Sequence, residues 1–184
     1  MGKTYWMIVT NRENFDLSKD LEFKVQGFES TQKRKSARLA VEDRLLYYLS
    51  DERAFAATAT VKSEPFEADD RIWSHHNEDE TYPHRVETEP DVVLDEANWI
   101  DALQVGPRLE YVRKWAPEDW PLAFMGPLHI IPQKDFTFFE EEFQRAAKKK
   151  SQNNSRRHKH SRKKRGSHAT GDVAESDGSG DSGK

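Results

Sequence analysis

Cysteine is absent from the 184 residues. This excludes disulfides and thiolate zinc sites and leaves histidine and carboxylate as the metal ligands to consider. Long apolar runs are missing too. The one near the start, residues 5–9, holds five residues and is followed at once by polar ones, too short for a signal peptide or a membrane span. The expectation is a soluble, intracellular, cytoplasmic protein with no membrane partner. Glycine is sparse outside the last twenty residues, so no phosphate-cradling loop is formed, and no G-x-S-x-G elbow occurs. Nucleotide-dependent and serine-hydrolase chemistry therefore have no signature, and no cofactor is expected.

Aliphatic side chains are nearly absent at the C-terminal end. From Lys148 onward only Val173 exceeds alanine in size, too little apolar surface to offset the entropy of ordering. The chain is thus expected to hold one folded domain, residues 1–147, and a disordered tail, residues 148–184. The formal net charge of −4 hides an asymmetry: the tail holds 11 of the 29 basic residues and 4 of the 33 acidic ones. The domain is left with 18 basic against 29 acidic residues, a net of −11. Inside the tail the segment "KKKSQNNSRRHKHSRKKR" carries ten basic residues and no acid, the pattern of an arm that binds phosphates non-specifically.

Strand character begins at "YWMIVT", an apolar run suited to a buried central strand. Asn11 or Asn14 is placed to cap a short helix containing Phe15 and Leu17, and Thr31 to cap a helix running toward Leu39. The segments 44–50 and 53–63, separated by two residues, read as an antiparallel hairpin in which Phe55, Ala57, Ala59 and Val61 share one face. Residues 64–83 have no period and read as a long loop; 83–94 resume a strand. Asp95 is placed to cap a helix over "EANWIDAL", "RLEYV" reads as a short helix or 3₁₀ turn, "GPLHII" as a late strand, and Asp135 as the cap of a final helix. Five or six short strands with short helices between them, lacking regular β-α-β alternation, indicate an α+β fold, a small curved sheet or open barrel with helices at its ends.

Candidate chemistry is thin. Glu78, Asp79, Glu80 and Glu140 to Glu142 stand in acidic runs that read as solvated surfaces. The adjacent His75 and His76 lack the i, i+4 spacing of a preformed metal site and read as surface-loop residues. The aromatics carry more information: five Trp, five Tyr and ten Phe, with Phe28, Trp73, Tyr82, Trp99, Trp115 and Trp120 in polar or loop surroundings. Aromatic faces outside a core stack on flat ligands such as nucleobases.

Taken in order, "YWMIVTNRENF", "VQGFESTQKRKSARL", "DRLLYYLS", "AFAATATV", "YPHRVETEPDVVLDE" and "EYVRKW" resemble the EVE domain, a member of the PUA-like superfamily that includes the YTH domains. The resemblance covers residues 3 to about 145 and implies a small, mostly antiparallel PUA-like open barrel flanked by short helices. It implies a non-catalytic module that recognises a modified or flipped-out base in DNA or RNA. "FEST" is similar to the segment that forms one wall of the YTH aromatic cage, with phenylalanine in place of tryptophan. The resemblance therefore implies base contacts by Phe28, Ser30, Thr31, Trp73 and Tyr82, and by Thr10 and Asn11 at the end of the first strand. Lys33, Arg34, Lys35 and Arg38 follow directly and are placed to meet phosphates. The alternatives are an RNA-processing enzyme of a PUA-like type, with His129 or Glu29 as the group to watch, and an adaptor that binds a small ligand and contacts RNA through its tail.

Overall fold

A computed structural model describes the backbone of residues 2–165 and the side chains of residues 2–149. The chain divides into two units, Met1–Lys148 and Lys149–Lys184. The elements in order are β1 (Tyr5–Thr10), α1 (Arg12–Asp20), β2 (Val25–Phe28), α2 (Lys33–Ser36), β3 (Arg44–Leu49), β4 (Ala54–Val61), β5 (Phe66–Glu67), β6 (His84–Val93), β7 (Ile100–Asp101), α3 (Ala102–Val105), β8 (Leu128–Ile130) and α4 (Gln133–Arg165). Short 3₁₀ turns lie at Ser30–Gln32, Glu96–Asn98, Gly106–Arg108, Glu110–Val112 and Trp120–Phe124. Among the described residues, no helix is long and apolar enough to cross a membrane.

The strands form one mixed sheet in the order β2-β6-β4-β3-β1-β8, with β5 paired to β6 and β7 to β4. Among the described residues, only β1 and β3 run parallel; the other pairs are antiparallel. β1 is unbroken in its apolar character because both of its faces are covered. Trp6 and Ile8 enter one core with Phe15 and Tyr47, while Met7 enters a second with Leu46 and Phe55, as the two-residue period requires. Phe136, Phe139 and Phe143, at helical spacing along α4, close that second core. Each such buried side chain contributes about 1.5–3 kcal/mol.

The sheet curls because β6 changes partners along its length. Residues 84–87 pair with β2, and residues 88–93 pair with β4. The register slips where Ala59 faces Pro90 and Thr58 faces Val92. Proline has no ladder donor to give and is tolerated at such a bulge. The extra residue, Asp91, turns its carboxylate to the Thr60 hydroxyl at 3.0 Å and to Arg44 at 3.1 Å. The result is a curled half-barrel.

Several expectations change. Phe55 does not share a face with Ala57: the ladder skips Ala56 between Tyr47 and Tyr48, and the bulge turns Phe55 into the opposite core. Thr31 caps nothing, since it lies inside a 3₁₀ turn that leads to a helix of only four residues. The buried Asp43 ends that segment by accepting from Ala40 N at 3.1 Å, Thr4 N at 2.8 Å and Trp6 Nε1 at 2.9 Å. The helix expected after Asp95 is split, because Ile100–Asp101 pairs with the start of β4 and Asp101 then caps α3. Asp135 is the third residue of α4, and its carboxylate accepts from Glu110 N and Tyr111 N, both at 2.8 Å. The tail expected to lack structure from Lys148 is helical in backbone through Arg165, consistent with the fair helix propensity of its Lys, Arg and Gln residues. The rest of that expectation, residues 166–184, lies outside the described residues.

Candidate functional site: an aromatic cavity at the end of β1

Where β1 ends, the chain meets α1, β2 and the long loop, and the four segments enclose a cavity of about 470 Å³. Asn11 is fixed by its own role in the helix start: its side chain accepts from Asn14 N at 2.8 Å and caps α1. Asn14, buried one turn later, grips the loop. Its Oδ1 accepts from Ser74 N at 2.7 Å and its Nδ2 donates to Ser74 O at 2.8 Å. An amide that exchanges both bonds with a backbone unit sets that unit's position as a strand neighbour would. The loop is therefore held, although it has little secondary structure of its own.

Three further residues fasten the loop. Trp73 is 3% exposed, donates its indole N–H to Ser18 Oγ at 2.8 Å, and lies so close over Gly27 that a Cβ there would stand 2.3 Å from its ring. Arg85, buried on β6, donates to Tyr82 O at 3.0 Å and to Asp70 Oδ1 at 2.7 Å, with its guanidinium 5.4 Å from the Trp73 ring centre. Glu80 is the third. Its buried carboxylate accepts from Ser30 N at 3.1 Å, Ser30 Oγ at 2.6 Å and Tyr82 N at 2.8 Å. Burial alone pushes the Glu80 carboxyl up, but the bonds from Ser30 and Tyr82, with His75 nearby, outweigh it and hold the group below the usual carboxylate range. Reading Glu80 as a solvated residue is thus corrected.

Of the seven residues expected at a base, Thr10, Asn11, Phe28, Trp73 and Tyr82 all line this cavity. Ser30 and Thr31 do not. The chain leaves β2 at Phe28 and turns at Glu29, and Ser30 spends both its hydroxyl and its N–H on Glu80; the Thr31 hydroxyl points to Glu29 at 3.4 Å. Phe28, for all its polar neighbours in sequence, is 4% exposed and packed in a core with Phe15, Phe23 and Tyr47. It offers the cavity only the small part of its surface that the core leaves free. Tyr82 is half-buried at φ +53°, its hydroxyl 3.4 Å from Asn14 Nδ2, and burial, helped by Glu29 and Glu80, pushes its phenol up to about 12.

Two groups of residues were not expected on the walls. His75 and His76 line the cavity with ring centres 4.0 Å apart, and His75 stands 5.9 Å from Tyr82. Adjacent histidines carry no spacing signal, so sequence alone gave no pointer to them. Gln26 and Tyr47 also line it, and Gln26 Oε1 and the Tyr47 hydroxyl are buried without a hydrogen-bond partner. Buried polar atoms are paired in nine cases of ten or more, so two orphans on one cavity need an explanation. Tyr47 is held far up in pKa by burial and stays a neutral phenol.

The basic residues after the cavity divide into two pairs. Lys33 pairs with Glu67 at 3.4 Å, and Lys35 donates to Leu128 O, where burial and the nearby Arg38 lower its pKa. Arg34 and Arg38 are exposed and have no ion pair among the described residues. His129 lies away from the cavity. Tyr111 and Gly126 O bracket its ring at 2.8 and 2.9 Å, and burial lowers its pKa, as suits a neutral ring donating to Gly126 O and accepting from Tyr111. Among the described residues, no group of three or more His, Asp or Glu is arranged to hold a metal.

Comparison with known proteins agrees with this architecture. The sequence is similar to UPF0310 proteins of Pyrococcus horikoshii, at 27% identity over 149 residues that span 75% of this chain and 97% of the relative, and of Pyrococcus abyssi, at 26% over 146 residues that span 74% and 97%. The fold is similar to that of the Mmi1 YTH domain, with a TM-score of 0.58 at 7% identity over 80% of this chain and 78% of that one. It is also similar to the YTH domain of the Zygosaccharomyces rouxii MRB1 protein, solved in complex with N6-methyladenosine RNA, with a TM-score of 0.55 at 15% identity over 77% and 86%. The curled half-barrel is thus a YTH-like fold. Residues 4–117, which contain every wall of the cavity except Pro127, match the EVE domain family, and the chain belongs to that family.

Proposed function

We propose that this chain is a non-catalytic nucleic-acid-binding module that takes a modified or flipped-out base of DNA or RNA into the cavity at the end of β1. The observation that carries the reading is the wall composition. Tyr82, His75 and His76 present ring surface to the cavity, Phe28, Tyr47 and Trp73 back it from the packed interior, and behind its wall Gln26 Oε1 and the Tyr47 hydroxyl are polar atoms without protein partners. A flat ring with a hydrogen-bonding edge matches such a mixture, since base readers pair stacking with contacts to the base edge. At about 470 Å³ the cavity falls within the roughly 300–1,000 Å³ usual for small-ligand sites. The Gln26 amide donates one N–H to Gly27 O at 2.7 Å, and its Oε1 is left as an acceptor without a protein partner.

Electrostatics assigns affinity elsewhere. Residues 1–147 carry a net −11, so phosphates are met by a local patch, to which the exposed Arg34 and Arg38 belong. The ten basic residues of 148–165 add salt-sensitive, sequence-blind affinity. Phosphate contacts then position the strand while the cavity specifies the base.

The test is binding of the full chain, at fixed salt, to short strands of RNA and DNA carrying cytosine, 5-methylcytosine, 5-hydroxymethylcytosine, adenine or N6-methyladenine. Tyr82→Ala serves as the control, because Tyr82 is half-buried whereas Phe28 and Trp73 belong to the packed interior. A preference of about tenfold for one modified base that Tyr82→Ala abolishes supports the reading. Equal binding of all strands, unchanged by Tyr82→Ala, refutes it.

A further inference from the structure

A second cavity, of about 630 Å³, opens beside the first and shares Val9, Glu29, Ser50 and Pro127 with it. Its remaining walls come from β3, the hairpin turn, α3 and the 120–126 stretch. Leu103, at 55%, and Met125, at 69%, are the most exposed large apolar side chains among the described residues, and both line it. Apolar surface left open beside a candidate site marks an interaction surface. Trp120 also lines it, seated over Gly106 so closely that a Cβ there would stand 2.3 Å from its ring. Arg53 completes the wall. It sits in the hairpin turn at φ +50°, exposed, with no ion pair among the described residues.

We propose that this second cavity receives the base of the nucleotide next to the one held in the first, with Arg53 on the phosphate that joins them. The inference rests on the base-binding reading of the first cavity. Four shared wall residues make the two spaces immediate neighbours, so a strand whose base enters one passes close to the other. The walls differ in the manner such a pair needs. The first cavity is lined by accessible hydrogen-bonding side chains, Asn11, His75, His76 and Tyr82, whereas Leu103, Trp120, Phe124 and Met125 offer apolar surface that accepts the face of any base. A guanidinium without a carboxylate partner suits a phosphate, which it meets with two parallel bonds. Glu29, on the shared wall, repels phosphate and accepts from N–H or hydroxyl groups, which keeps the backbone on the Arg53 side. The second subsite thus adds affinity for single-stranded nucleic acid without adding sequence preference.

The test separates the two readings. N6-methyladenosine and 5-methylcytidine are titrated into the full chain as free nucleosides and as the central residue of short, otherwise uniform single strands. The wild-type chain is compared with Arg53→Gln and with the double variant Leu103→Ser, Met125→Ser, whose folding is checked by thermal melting. The expected result is that each variant binds the preferred strand about tenfold more weakly, the scale of one lost stacking or phosphate contact, while the free nucleoside binds as to wild type. Strand affinity equal to wild type overturns the second subsite and leaves the first standing. Equal loss for nucleoside and strand overturns it too, because the residues then serve the first cavity. A wild-type chain that binds neither nucleoside nor strand refutes the base reading itself, and the second subsite falls with it.

Discussion

The two neighbouring cavities are each walled by a tryptophan pressed onto a glycine, yet the tryptophans are held differently. Trp73 is buried, bonded through its indole to Ser18 and backed by Arg85. Trp120 is half-buried in a 3₁₀ turn and meets Phe124 edge-on at 5.6 Å. Around Trp73 stand groups with fixed hydrogen-bonding roles; around Trp120 stand exposed leucine and methionine. A site that discriminates needs walls that cannot yield, because an edge contact displaced by an ångström is lost. A site that only supports a strand tolerates adaptable walls, for which methionine is well suited.

The largest effect is expected at the rigid cavity. Phe28→Ala removes a ring from the packed core and should cost about 3–5 kcal/mol, measured by chemical denaturation. A cost below about 1 kcal/mol would mean that Phe28 is a wall residue and not a core one. Glu80→Ala should follow, at about 2–3 kcal/mol, because three donors lose a charged acceptor in a buried setting. Glu80 also sets a pH dependence. Its folded pKa is depressed, so its contribution is complete above the unfolded value, about 4.3, and is lost as pH falls through the lower folded one. In Glu80→Gln, stability should fall less steeply over that acid window than in wild type.

The paired glycines sharpen the comparison. Gly27→Ala and Gly106→Ala each force a ring away and should cost about 1–3 kcal/mol. Only Gly27→Ala should abolish binding of a free modified nucleoside, while Gly106→Ala should weaken strands alone; calorimetric titration of both variants checks this. The smallest effect is at Tyr47→Phe, which deletes a buried hydroxyl without a partner. Stability should rise by about 1 kcal/mol while nucleoside affinity falls, a divergence that a purely structural hydroxyl does not produce.

The parts legible in the sequence were those set by local pattern. β1 showed as an apolar run, the β3–β4 hairpin as two such runs about a tight turn, and α1 by Asn11. Five of the seven residues expected at a base line one cavity, Phe28 of the "FEST" segment among them. Illegible were the roles that depend on distant partners. Glu80 stands in an acidic run, and Ser30, fifty residues earlier, together with the nearby Tyr82 N makes it a buried anchor. Asp135 has the form of a helix cap but serves the backbone of Glu110 and Tyr111. The second cavity has no sequence signal, since its walls are assembled from segments between Val9 and Pro127 that carry no common period.

The central claim is that a modified base enters the cavity at the end of β1, which Trp73 backs, rather than the cavity at Trp120 or the basic segment. The most direct measurement is a nuclear magnetic resonance titration of the full chain with the preferred modified nucleoside, following the indole N–H signals of its five tryptophans and the backbone amides. The account predicts saturable shifts at the Trp73 indole and at the amides of Gly27, Phe28 and Tyr82, with the Trp120 indole unmoved. Shifts confined to residues 102–126 or to the basic segment, with Trp73 silent, would contradict it.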